Sequence, residues 1–382
     1  MVPTMPSARP LTTFALRDVL HNATSTTVLP WPELLAAAER HGVLPRLALS
    51  WLRPDSSVPL DVRALVRERL RAHQAHALSL CAELIAVQRL LQDGGVDVLA
   101  LKGPALSSQL YGEPTVRVSR DLDLLVEPAT FARAHDILVQ NGYAPEFTWR
   151  GRRMRALLQR YHDFAFTSPA GSLIELHWTL AQTRYAVHCD VARMFRDSVT
   201  IDVLGSPVRV FSPDDLLLFL ALHGARHQWL QLDLVCDVAA LLATATLDLH
   251  IVRQRAAAAH LSRMLELALL LAEAIDPHLP RRAKHDATLE RLSLHVVKTW
   301  DETLPAGPLK RMAFDLRVRE RWRDRARIAF STVFAPGLSD WLAVPLPDPL
   351  FPLYHVVRPF RLVTQRLLQP RELLQQRARN DG

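Results

Sequence analysis

The stretch Asp121-Leu122-Asp123-Leu124-Leu125-Val126 decides the reading of this chain. Carboxylates alternate with leucines and run into an apolar end, the pattern of a strand with one buried face. Side chains two apart on a strand share a face, so Asp121 and Asp123 reach the same space while Leu122 and Leu124 enter the core. Two carboxylates on one face repel each other unless protons or a cation neutralise them. Mg2+ (or Mn2+) suits that place, because Mg2+ takes one or two carboxylates together with phosphate oxygens.

Upstream, Val96-Asp97-Val98-Leu99-Ala100-Leu101 reads as a short buried strand, broken by Lys102-Gly103-Pro104. Ala105 to Tyr111 then suits one or two helical turns. A glycine at such a turn lets backbone N–H groups approach phosphate at a helix start. In the polar loop that follows, Arg117, Ser119 and Arg120 crowd the approach to the acidic strand, where they can bind triphosphate oxygens or cap the strand. Downstream, a helix from about 128 to 140 stops at Asn141-Gly142. Asp163–Thr167, Ser168–Gly171 and Ser172–Trp178 read as strand, turn, strand. Within the last, Glu175 lies between Ile174 and Leu176 and supplies a third carboxylate for metal or for the attacking group. His177 shares the face of Glu175, either lining the pocket or bracing that carboxylate.

A further hairpin is expected at Val199–Val203 and Val208–Phe211, around Gly205-Ser206-Pro207. Ser212-Pro213-Asp214-Asp215 then opens a helix, with a Ser cap, Pro in the first turn and acids favoured by the dipole. Helices continue to about residue 330, and the Pro- and aromatic-rich segment 334–359 is expected to be irregular. Before the sheet, Trp31 to Gly42 and Asp61 to Gln92 are helical. The expected fold is α+β: a mixed sheet within 96–211, between a helical 1–95 and a helical 212–382.

With 382 residues and 49% hydrophobic against 22% charged, the chain is long enough for more than one domain and is not of disordered composition. A net charge of +7 fits an anionic partner such as a nucleotide, but nucleic acid is not expected as a partner on that ground alone. Arg150–Arg160 and Arg317–Arg327 are read as solvated helix faces. Cys81, Cys189 and Cys236 show no CxxC or zinc spacing, which suits a reduced, cytoplasmic setting. The N-terminal twenty residues contain no continuous apolar core of a signal peptide. The longest apolar run, Leu216–Leu222, falls far short of the roughly 20 residues of a membrane span. His223 and His227, four apart on a helix, have zinc-like spacing without a third ligand, so His223 is expected to be structural or to face the pocket. Asp237 is expected to cap or pair locally.

Taken together, Leu101-Lys102-Gly103, Leu110-Tyr111 and Arg117-Val118-Ser119-Arg120 followed by Asp121 to Val126 resemble the signature of the uncharacterised nucleotidyltransferase family, part of the DNA-polymerase-β-like superfamily. The resemblance continues at Ile174-Glu175-Leu176-His177-Trp178 and at His223, Trp229 and Asp237 in HGARHQWLQLDLVCDVAALL. It extends to Trp31–Pro45, Asp340-Trp341 and Arg358-Pro359, and so spans roughly 30–360. It implies an Mg2+-bound pair of Asp121 and Asp123, with Glu175 as third acid. It further implies an NTP donor and an acceptor hydroxyl on a small molecule, sugar phosphate, peptide or protein, in a biosynthetic setting. Lys102, with Arg117 or Arg120, would stabilise the leaving group, and Gly103, Ser107 and Ser119 would join the nucleotide site. The sequence departs from the superfamily at one point, where the usual Gly-Ser or Gly-Gly is Gly103-Pro104. Proline has no N–H to give a phosphate, so Ser107 or Ser108 is expected to replace that contact. The alternatives are a transferase using another activated donor, such as a nucleotide-sugar, or a non-catalytic nucleotide-binding or antitoxin-like protein.

Overall fold

The computed structural model describes residues 31–148, 151–300 and 307–362. The N-terminal twenty residues and Arg150 lie outside the described residues. Seven strands form one mixed sheet in the order β3-β4-β5-β2-β1-β7-β6. They are β1 (Val98–Ala100), β2 (Asp121–Val126), β3 (Ala144–Pro145), β4 (Asp163–Thr167), β5 (Leu173–His177), β6 (Val199–Val203) and β7 (Ser206–Val210). The acidic strand therefore holds the centre. β2 runs antiparallel to β1, with Val98 opposite Val126, and parallel to β5, with Asp123 opposite Glu175. Leu122, Leu124, Leu125 and Val126 are all buried, as the alternation and the apolar end require.

The expected hairpin forms one residue earlier than its Gly205-Ser206-Pro207 reading. Leu204 and Gly205 make the turn, both with positive φ (54° and 80°), and β7 resumes at Ser206. A two-residue β3, not expected from the sequence, pairs with β4 at the sheet edge, where Pro145 deprives no further strand of a donor.

Most helices fall where periodicity and caps put them: Trp31–Arg40, the 34-residue Leu60–Asp93, and Pro213–Arg226. Ser212 caps the last of these by accepting from the Asp215 backbone N–H. Its run Leu216–Leu222 is buried throughout, against the helices Leu232–Thr244 and Ser262–Ile275. Among the described residues no helix is long and apolar enough to cross a membrane. The helix after β1 starts at Gly103, two residues before the expected Ala105, because Pro104 occupies a first-turn position that needs no N–H. The helix after β2 starts at Phe131 rather than Pro128, since 127–130 close a turn through the Thr130 N–H and the Glu127 carbonyl (2.9 Å).

Contacts gather the chain into two compact units: 1–146, 163–180 and 188–320 in one, and 147–162, 181–187 and 321–382 in the other. The sequence bounds at 95 and 211 thus mark changes of secondary structure rather than edges of compact units. In the second unit, the segment expected to be irregular contains the helix Leu338–Ala343 and the 3-10 turns Asp348–Leu353. Asp340 starts that helix by accepting from the Gly337 N–H at 2.8 Å.

Candidate functional site

Parallel pairing brings the two acidic strands into register. Asp123 on β2 lies opposite Glu175 on β5, and His177 two residues later faces the same way. Ligand atoms of Asp123, Glu175 and His177 all lie within 4.8 Å of one another. Asp123 is buried and Glu175 half-buried, so the cluster opens on the Glu175 side. The histidine Nε2–H donates to Asp123 Oδ1 at 3.1 Å and stands 3.5 Å from Glu175 Oε2. Lys102, the last residue before the glycine turn, places its Nζ 2.7 Å from the same Asp123 Oδ1. Asp121, half-buried at the start of β2, stands outside this cluster, and its side chain has no hydrogen bond or ion pair among the described residues.

The electrostatics separate the two aspartates. Burial alone would push the Asp123 carboxyl up, but Lys102 and the His177 hydrogen bond outweigh it and hold the group well below the usual carboxylate range. Burial also works against a charge on His177. Its hydrogen bonds to Asp123 and Glu175 raise it instead to about 9. Asp121 goes the other way: burial and repulsion from Asp123 raise its carboxyl, with Lys102 only partly offsetting them. A divalent cation fits this donor set on one telling atom. Asp123 Oδ2 is buried with no hydrogen-bond partner among the described residues, an acceptor that burial makes costly unless something binds it. Carboxylate oxygens suit Mg2+ or Mn2+: Asp123 and Glu175, with Asp121 near enough to feel both.

Several residues with expected phosphate roles have partners elsewhere. Arg117 is buried, donates from Nε to Asp237 Oδ2 at 2.7 Å and from a terminal nitrogen to the Val118 carbonyl. Asp237 also accepts from Arg46 (2.7 Å) and Tyr111 (2.8 Å). Its expected local pairing is therefore a long-range knot that ties the helix Leu44–Trp51, the end of the helix after β1 and the loop before β2 to the helix Leu232–Thr244. Ser107 braces the same loop, donating to the Glu113 carbonyl (2.6 Å) and accepting from the Arg117 N–H (3.1 Å). Arg120 is exposed, without a partner among the described residues. The Ser119 hydroxyl is buried, with no partner among the described residues. Gly103 has φ +68°, and an added Cβ would meet the Asp121 carbonyl oxygen at 3.3 Å, so the turn needs glycine and lies directly against the acidic strand.

At the end of the helix Pro213–Arg226, the rings of His223 and His227 lie 4.5 Å apart. Burial first, then Lys102 and His227, hold His223 well below its ordinary range, so it is a neutral ring within the field of the site. The sequence reads Glu175 as the third metal acid and His177 as either lining the pocket or bracing that carboxylate. The structure gives His177 a direct place in the cluster, and its i+2 spacing from Glu175 was the signal for it.

Residues 28–275 match the family described as an uncharacterised nucleotidyltransferase. Among curated proteins, none matches the chain. Among solved structures, an antigenic nucleotidyltransferase-like protein from Paracoccidioides brasiliensis is similar at 16% identity with a TM-score of 0.34, over 55% of this chain and 95% of that one. With a match that takes in the sheet, the acidic cluster and the helices behind it, the chain belongs to the uncharacterised nucleotidyltransferase family.

Proposed function

We propose that the protein transfers a nucleoside monophosphate from an NTP to an acceptor hydroxyl, with Mg2+ or Mn2+ held by Asp121, Asp123 and Glu175. The observation that carries this reading is the buried Oδ2 of Asp123, unpartnered among the described residues, which faces the same space as Glu175 across a parallel strand pair. When bound, the metal supplies charge neutralisation on the α-phosphate and on the pyrophosphate that leaves. The protein's own residues do the rest. His177 donates to Asp123 and steadies both carboxylates in one orientation. Glu175, the half-buried acid, takes the proton of the acceptor hydroxyl as its oxygen attacks the α-phosphorus. Lys102 has two anions within its range of action: Asp123 when no nucleotide is present, and a phosphate oxygen of the leaving group when one is. Gly103 keeps the backbone close to the acidic strand so that the first-turn N–H groups after Pro104 face the phosphates.

The test is incubation with each NTP labelled at the α-phosphate, in Mg2+ or Mn2+, with candidate acceptors. Transfer of label and release of pyrophosphate, both lost in Asp123→Asn, are the expected result. Nucleotide that binds but returns intact under every condition would overturn the reading. One observation favours a second donor chemistry. Ser107 is used up inside the loop and Pro104 offers no N–H, so the turn holds fewer phosphate contacts than the superfamily pattern implies. Nucleotide-sugars therefore belong in the same assay.

A further inference from the structure

The second unit contains a cavity of about 390 Å3, within the usual range for a small-molecule site. Its wall carries four arginines, Arg160, Arg184, Arg327 and Arg358, and no acidic residue. Arg358 is the only one of them with a carboxylate partner among the described residues, Asp340 at 2.6 Å, and Asp340 is shared with Arg361. Arg160, at the end of the helix Gly151–Arg160, donates only to the Pro336 carbonyl. Arg184 stacks over the Tyr185 ring and donates to its hydroxyl, which fixes its stem without balancing its charge. Arg327 has no hydrogen bond or ion pair among the described residues.

Three guanidiniums without a carboxylate partner among the described residues line one concavity, where one anion can meet all three. Burial, and the neighbouring Arg358 cation, push the Arg160 guanidinium below its ordinary value. The wall itself is held in place: Tyr161 accepts from the Leu338 N–H at 2.6 Å, and Arg358 donates twice to the Thr332 carbonyl. Guanidiniums present paired donors that match two phosphate oxygens at once, and the hydroxyl of Ser339, which accepts from Arg361, adds a neutral donor. A single carboxylate would answer only one of the three cations.

We infer that this arginine-lined cavity binds the phosphate groups of a small phosphorylated molecule, as a ligand site separate from the acidic cluster. It does not depend on the activity proposed above. The test is isothermal titration of the full chain with pyrophosphate in EDTA, with citrate as a non-phosphate polyanion. Wild type is expected to bind pyrophosphate well ahead of citrate. Arg160→Gln and Arg327→Gln should each weaken pyrophosphate about tenfold, equivalent to about 1.4 kcal/mol. Asp123→Asn should leave that affinity unchanged while abolishing metal-dependent NTP transfer, so the two readings fail separately. Arg327 is exposed on its helix, so Arg327→Gln keeps the test valid if Arg160→Gln does not fold. Absence of pyrophosphate binding, equal binding of citrate, or affinity unmoved in Arg327→Gln overturns the inference.

Discussion

Asp121 and Asp123 differ by two residues on one strand, yet replacing each by asparagine should change metal-free stability in opposite directions. Asp123 neutralises Lys102 at 2.7 Å and accepts from His177 at 3.1 Å, with its own side chain fully buried. Breaking a buried ion pair by removing one partner costs roughly 3–5 kcal/mol. Lys102 keeps a small water-facing portion (16%), so about 3 kcal/mol, the low end, is expected for Asp123→Asn. Asp121 has no such partner, and burial and Asp123 raise its carboxyl. A group whose folded pKa is raised is destabilising wherever it is ionised, so Asp121→Asn should gain stability near pH 7.5. Urea unfolding in EDTA reads both effects, with equal m-values as the check that the unfolded states are comparable. Adding Mg2+ at a hundred times its dissociation constant should then stabilise wild type by about 2.7 kcal/mol and neither variant. Loss of stability in Asp121→Asn comparable to that in Asp123→Asn would refute the division of labour, because it would give both acids the same partners.

Three other outcomes follow from the same contacts. Asp237→Asn removes the charge that Arg46 and Arg117 share, and should cost roughly 3–5 kcal/mol in chemical denaturation, with part recovered in Asp237→Asn/Arg117→Met. Gly103→Ala forces a side chain into φ +68° and against the Asp121 carbonyl. It should lose about 1–2 kcal/mol and weaken Mg2+-NTP binding measured by titration. His223 is held neutral in the fold, so its contribution is intact above the unfolded value of 6.5 and is lost as pH falls below it. Between pH 6.5 and 5.5 wild type should lose about 1 kcal/mol more than His223→Leu in the same denaturation series.

Local chemistry made much of this fold legible. The Asp-Leu alternation gives β2 its bounds, the Ile174-Glu175-Leu176 pattern gives β5, and Ser212-Pro213 gives a helix start that the structure keeps. What local chemistry does not contain is the partner of a side chain. Arg117 and Ser107 lie beside the acidic strand in sequence and have the right donors for phosphate. Arg117 meets Asp237, 120 residues away, and Ser107 turns back to its own loop. Lys102 is the opposite case, since its proximity in sequence to the glycine turn does become proximity to Asp123. β3 is not legible in the sequence, because two residues, one of them proline, carry no period to read.

The one-to-one alignment of β2 with β5 also makes the cluster an all-or-none construction. β5 carries Glu175 and His177 on one face and Ile174 and Leu176 on the other. A slip of one residue would therefore exchange every ligand-bearing position for a branched hydrocarbon, with no intermediate arrangement that keeps half the donors. The lengths of the connections between residues 127 and 172 are free to drift as long as the strands meet in step. A single-residue insertion in the turn at 168–172 should be absorbed there with the cluster in register, whereas one between Ile174 and Glu175 should move Glu175 and His177 off the acidic face and cost stability.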